Sequence, residues 1–255
     1  MLRVENLTVS YTDAPVLDQV NLSVENGETL GLIGLNGAGK TTLIKAILGL
    51  RSPSSGHIYY HDDKIEDVQK AFRKDLAFLP ERFEPPWFLT GLEFVKFSAS
   101  LYRTKLNRGE IDRVAESLEL SPEVLPRMVQ TYSKGMRQKL GLIATILTGC
   151  NFLILDEPMS GLDPQARVCV KNNLLKLREE GRTIFLSSHI LSDMEEICDR
   201  VAVLHAAKMQ FTGPPGEMIK SHKTKTLEQA FLKIIDIEAK AKAKAKAKSQ
   251  EKDAA

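Results

Sequence analysis

Gly34-Leu35-Asn36-Gly37-Ala38-Gly39-Lys40-Thr41 fits the pattern GxxxxGK[ST]. Its flanks give it a structural setting. Residues 28–33 form a short apolar run into the glycines, the signal of a strand. Residues 40–50 place apolar side chains at 43, 44, 47 and 48, one face of a helix, with Gly49 as its stop. Strand, glycine loop and helix are the context in which this pattern cradles phosphate. The glycines let backbone N–H groups turn inward where a Cβ would clash, and the helix start adds positive potential. Asn36, Gly37, Ala38, Gly39, Lys40, Thr41 and Thr42 are therefore candidate phosphate-binding residues. Lys40 is expected to reach the β- and γ-phosphates. The Thr41 hydroxyl is expected to ligate Mg²⁺, an ion that keeps most of its waters.

The next informative stretch is 152–157, an apolar run ending in Asp156 and Glu157. A strand of this kind is buried on both faces, and ligands collect at the carboxyl ends of parallel strands. Asp156 is then placed to hold Mg²⁺ through water. Glu157 is placed to act on the attacking water, as general base or as water-positioner.

Around these stretches, residues 2–9 and 16–24 alternate as two strands of an antiparallel sheet, joined by Thr12-Asp13-Ala14-Pro15. Residues 57–60 read as a further strand. From Pro85 to Cys150 the pattern turns helical, at 92–102, 108–118 and 134–147. Strands at 152–155, 183–187 and 200–205 then alternate with helices at 165–180 and 191–197. The alternation implies a mainly parallel sheet with helices on its faces, an α/β protein carrying a helical insertion. A last helix is expected at 227–238.

Composition bounds the rest. The 255 residues are 43% hydrophobic and 27% charged, which excludes a disordered or collagen-like chain. A net charge of +2 argues against a nucleic-acid partner. Cys150, Cys169 and Cys198 form no CxxC pair, so zinc has little support and a reducing compartment is expected. The N-terminus lacks the apolar run of a signal peptide, and the apolar runs at 140–147 and 152–155 fall short of the roughly 18 residues of a membrane span. The expectation is a soluble, cytoplasmic chain that meets a membrane only through a partner. Residues 239–255 carry six Lys against one Glu and one Asp, largely as Ala-Lys repeats. Such a segment builds no core, and its charge would allow contact with an anionic membrane face.

With these motifs in order, residues 2–220 resemble the ATP-binding cassette (ABC) ATPases, the nucleotide-binding subunits of ABC transporters. Tyr132-Ser133-Lys134-Gly135-Met136 resembles the ABC signature, usually LSGGQ, with Lys134 in place of its first glycine. Ser160-Gly161-Leu162-Asp163 resembles the D-loop, and Ser187-Ser188-His189 the switch-histidine loop. Tyr11 lies where the family stacks an aromatic on adenine. Leu79-Pro80-Glu81 lies at the Q-loop, with Glu81 in place of the usual glutamine near the metal.

The resemblance implies a RecA-like P-loop NTPase core with an antiparallel β-subdomain and a helical subdomain. The domain reading is then an ATPase domain over 1–222 (helical subdomain about 85–150), a C-terminal helix over 223–238 and, from its Ala-Lys composition, a flexible tail over 239–255. Lys40, Glu157 and His189 become the catalytic candidates, and Thr41, Asp156 and Glu81 the metal candidates. Tyr11, Ser133, Gly135 and Asp163 join the nucleotide-binding set. Ser133 and Gly135 are implied to meet the γ-phosphate held by a second cassette, and Asp163 to communicate across that dimer. The implied function is Mg-ATP hydrolysis in a homo- or heterodimer that drives integral membrane permease subunits from the cytoplasmic face. Tyr-Ser-Lys-Gly-Met and Leu-Pro-Glu point to exporters. The alternative is a non-transport member such as an iron–sulfur assembly factor.

Overall fold

The computed structural model describes residues 1–12 and 14–236. In chain order its elements are β1 (Leu2–Ser10), β2 (Pro15–Val24), β3 (Thr29–Ile33), α1 (Lys40–Ile47), β4 (Ser55–Tyr60), β5 (Asp63–Lys64), α2 (Ile65–Asp75), β6 (Leu76–Leu79), α3 (Gly91–Leu101), α4 (Arg108–Ser117), α5 (Lys134–Ile146), β7 (Phe152–Asp156), α6 (Pro164–Glu179), β8 (Thr183–Ser188), α7 (Leu191–Ile197), β9 (Arg200–His205), β10 (Lys208–Gly213) and α8 (Pro215–Ser221). Residues 227–236 are helical, the described part of the helix expected at 227–238. The Lys-rich segment and Asp13 of the first turn lie outside the described residues.

Two sheets form. The smaller has the order β2-β1-β4-β5 and is antiparallel, so residues 57–60 join the sheet of the first two strands. The larger has the order β10-β9-β3-β8-β7-β6. It is parallel from β9 to β6, and β10 adds an antiparallel edge. β3 lies between β8 and β9, while β6, the next parallel strand in the chain, lies at the far edge. The carboxyl ends of β3, β7 and β8 are thereby brought side by side, the crevice where α/β sheets bind ligands.

The apolar runs of this sheet face two cores, because side chains alternate along a strand. Leu153 and Leu155 of β7 enter a cluster with Leu140 and Ile143 of α5, Leu174 of α6 and Met194 of α7. Phe152 and Ile154 face the other way, with Leu43 and Ile47 of α1 and with Leu7, Val9 and Leu22 of the antiparallel sheet. The antiparallel sheet is thus held against the same layer of helix that grows out of the glycine loop. α3, α4 and α5 occupy the interval expected to be helical, each opened by a side-chain cap from Thr90, Asn107 or Ser133. Among the described residues no helix is long and apolar enough to cross a membrane.

Candidate active site

The glycine loop leaves β3 and enters α1. Its backbone turns left-handed at Gly37 (φ +80°) and Gly39 (φ +106°), a region closed to most side chains. Gly34 is demanded by space instead: a Cβ there would lie 2.6 Å from the Leu204 carbonyl oxygen. Lys40, the first residue of α1, is only 7% exposed. Its Nζ donates to the Gly34 carbonyl at 2.8 Å and lies 3.9 Å from Glu157 Oε1. The lysine is folded over its own loop, and an arriving phosphate offers the same ammonium a charged partner.

Asp156 ends β7, a strand buried along its whole length. The Thr41 hydroxyl donates to Asp156 Oδ2 at 3.1 Å. Ser187 of β8 is paired in register with Asp156, and its hydroxyl donates to Asp156 Oδ1. Among the described residues no group of three or more His, Cys, Asp or Glu is gathered for a metal ion. A hydroxyl beside a carboxylate is nevertheless the sparse hard-oxygen set that suits Mg²⁺, whose remaining ligands are substrate phosphates and water.

Glu157 leaves the strand with φ +51°. A non-glycine residue in this region costs on the order of 1 kcal/mol or more and is held there by its surroundings. Here the Glu157 N–H donates to both the carbonyl (3.2 Å) and the hydroxyl (3.0 Å) of Ser187. The turn aims the carboxylate between two cations or potential cations, Lys40 on one side and His189 on the other. His189 follows β8, and its Nδ1 lies 2.8 Å from Glu157 Oε2. The buried carboxylate and the half-exposed imidazole form a pair that can hold and orient a water.

These residues line one cleft of ≈ 390 Å³, which includes Asn36, Gly37, Gly39, Thr42 and Glu81 with Lys40, Thr41, Asp156, Glu157 and His189. Leu35 of the glycine loop and Ser160 of the segment resembling the D-loop line it as well, and so does Val16, to which the sequence assigned no role. Ser187 was missed as a support, because only strand register places it opposite Asp156. Ala38 supplies a loop turn, its N–H donating to the Leu35 carbonyl at 3.0 Å. Glu81 reaches the cleft on the loop that leaves β6.

Tyr11, Ser133, Gly135 and Asp163 stand outside this cleft. Tyr11 is 54% exposed at the β1–β2 turn, with the Arg51 guanidinium against its ring. Ser133 caps α5 by accepting from the Met136 N–H at 3.2 Å. Asp163 caps α6 by accepting from the Ala166 N–H at 2.9 Å, and that hydrogen bond holds its carboxyl below the usual range. The signature and D-loop segments touch within the chain: a Cβ on Gly161 (φ +75°) would meet Lys134 Cε at 3.2 Å. Lys134 therefore packs over the turn at Gly161.

A parallel sheet, a glycine loop opening a buried helix and a carboxylate at the end of the neighbouring strand define a P-loop nucleotide-binding protein. The model of the family described as ABC transporter matches residues 17–160, more than half of the chain. An uncharacterized ABC transporter ATP-binding protein of Nostoc sp. is 37% identical over 207 residues, 80% of this chain and 61% of its own length. The bacitracin transport ATP-binding protein of Enterococcus faecalis is 37% identical over 210 residues, 80% of this chain and 66% of its own. A solved structure of an ATP-binding subunit of an ABC transporter is 31% identical and superposes with a TM-score of 0.83 over 92% of this chain and 99% of that one. The chain belongs to the ABC transporter ATP-binding family. It spans 61% and 58% of the first two curated relatives it matches.

Proposed function

We propose that this chain is the ATP-hydrolysing subunit of an ABC exporter, working as a dimer on integral membrane permease subunits. The single observation that carries the reading is the convergence of Lys40, Thr41, Asp156, Glu157 and His189 on one cleft at the ends of three adjacent strands. Lys40 exchanges its loop carbonyl for the β- and γ-phosphates. Thr41 and Asp156 would hold Mg²⁺, which would supply charge neutralisation on the phosphates, and Glu81 lines the same cleft. Glu157 orients the attacking water and accepts its proton, and His189 steadies the carboxylate and the departing γ-phosphate.

The dimer is supported by Gly135. Its backbone does not need glycine, and a Cβ there would find only ordinary contacts at 3.7 Å or more. Space is thus left open at the start of α5, as expected if a partner's γ-phosphate approaches there. A permease is supported by the exposed apolar side chains that follow the Glu81 loop: Trp87, Phe88, and Phe97 and Leu101 of α3 are all more than half exposed. Transport, rather than a role without it, is supported by the bacitracin transport relative, and export by the Nod factor export ATP-binding protein I of Rhizobium meliloti, 34% identical over 218 residues. The place of work is then the cytoplasmic face of a membrane, reached through the permease, with the Lys-rich segment as a second contact to anionic lipid.

The test has two parts. Purified chain should release phosphate from ATP only with Mg²⁺ present. Affinity capture from detergent-solubilised membranes should recover an integral membrane protein in stoichiometric amount. Hydrolysis without such a partner would restrict the reading to an ATPase.

A further inference from the structure

Arg51 has no part in the phosphate or metal chemistry, yet it is placed with care. Its guanidinium carbon lies 4.3 Å from the centroid of the Tyr11 ring. Its Nη2 donates to the Ser10 carbonyl at 2.7 Å, while its Nε is buried with no hydrogen-bond partner among the described residues. A buried N–H left unpaired costs free energy. The plane of the guanidinium is thus set by the ring and by Ser10, at the expense of its Nε–H.

The segment that carries Arg51 is stapled to the end of β1. The Ser54 N–H donates to the Thr8 carbonyl at 2.8 Å, and the Ser10 N–H to Ser54 Oγ at 3.3 Å. On its other side Arg51 closes the exit of α1, its N–H donating to the Lys45 carbonyl at 3.2 Å. One helix therefore starts at Lys40 in the glycine loop and ends at Ile47, a short turn before the arginine that lies over Tyr11. The hairpin carrying Tyr11 adjoins that loop: Val16 lines the cleft, and a Cβ on Gly39 would lie 3.0 Å from the Val16 carbonyl oxygen. With Arg51 on one face and the side chain 54% exposed, Tyr11 keeps an open surface toward solvent.

We propose that Arg51 is a positioning residue for the nucleotide base: it stacks on one face of Tyr11 and fixes the ring as a platform on whose other face adenine stacks. The proposal rests on the assignment of Tyr11 to adenine. A ring held by a cation and a stapled turn is already ordered before the base arrives, so binding loses less freedom.

Calorimetric titration of the full chain with MgADP and with Mg-pyrophosphate, which lacks the base, tests this. Arg51→Ala should weaken MgADP about two- to fivefold, the range of an exposed cation–π contact, and leave pyrophosphate unchanged. Arg51→Lys should recover part of the loss. In a Tyr11→Ala background Arg51→Ala should add nothing, and in turnover its effect should fall on KM for ATP rather than kcat. Unchanged or tighter MgADP binding by Arg51→Ala, with Tyr11→Ala still weakening it, would overturn the proposal alone. An equal loss for pyrophosphate would also overturn it, because α1 itself would then be disturbed. If Tyr11→Ala leaves MgADP binding unchanged, the assignment of Tyr11 falls and the proposal falls with it.

Discussion

Lys40 and Ser133 both stand at the start of a helix that runs back into the core, α1 and α5, and both helix starts offer unpaired N–H groups to an anion. Their surroundings differ. Around Lys40 the chain gathers Thr41, Asp156, Glu157 and His189 into one cleft, with Ser187 bracing the Asp156 carboxylate and the Glu157 backbone N–H from behind. Around Ser133 it gathers only its own cap, with the D-loop alongside. The first half-site has a place for phosphate, metal and water within one chain. The second has a glycine that nothing in the chain requires. One half-site gathers its chemistry within the chain, and the other is an open helix start that the proposed dimer would bring to a second copy's phosphate.

The largest effect belongs to the finished half. Glu157→Gln preserves shape and removes the proton acceptor, so phosphate release should fall roughly 10²–10⁴-fold, the range of general-base catalysis, while ATP still binds. A variant that turns over at near-normal rate would show that the carboxylate wedged between Lys40 and His189 is not the group acting on water. The comparison would then lose its better-defined side.

The next test asks whether the two halves meet in trans. Lys40→Ala should be inactive. Gly135→Asp should be inactive as well, because its charge would face the γ-phosphate, while the chain has room for the new Cβ. Mixed in equal amounts as a two-fold dimer, each hetero-pair rebuilds one intact site from the unmutated halves. About a quarter of the wild-type rate should return if pairs form at random and sites act independently. No recovery, with hetero-pairs shown to form, would place Ser133 and Lys40 in service of the same chain's nucleotide and end the trans reading.

Legibility in the sequence divides along similar lines. The glycine loop, the buried strand ending in Asp156 and the alternation of strands and helices were all readable, because each is local and each follows a period. The elements with weak periods were not. α2 has only Ile65 and Phe72 buried and a non-helical residue at Val68, so its helical pattern is thin. β6 and β10 are edge strands of four and six residues, too short or too polar to stand out. α8 is a seven-residue helix with two buried side chains. Within the site, Ser187 behind Asp156, the left-handed turn at Glu157 and Lys134 over Gly161 depend on register and packing between segments far apart in the chain. A non-glycine residue gives no advance notice of a positive φ, and the cation beneath Tyr11 lies 40 residues further along the chain.

The smallest effect separates structure from communication at Asp163. Its carboxylate caps α6, and the Ala166 N–H holds its pKa below the ordinary value. A group whose folded pKa is lowered contributes stability above its unfolded pKa, about 3.9, and loses it as pH falls through the folded value. Asp163→Ala should therefore lower Tm at pH 7, and the gap to wild type should close on acidification below about pH 4. Asp163→Asn keeps a good N-cap without the charge. Its Tm at pH 7 should stay close to wild type, so any change in ATPase activity reports something other than the cap. If Asp163 belongs to the half-site completed by a partner, turnover should fall in Asp163→Asn while Tm holds. Full turnover at unchanged Tm would reduce Asp163 to a helix cap and leave the signature helix as the chain's sole contribution to its partner's site.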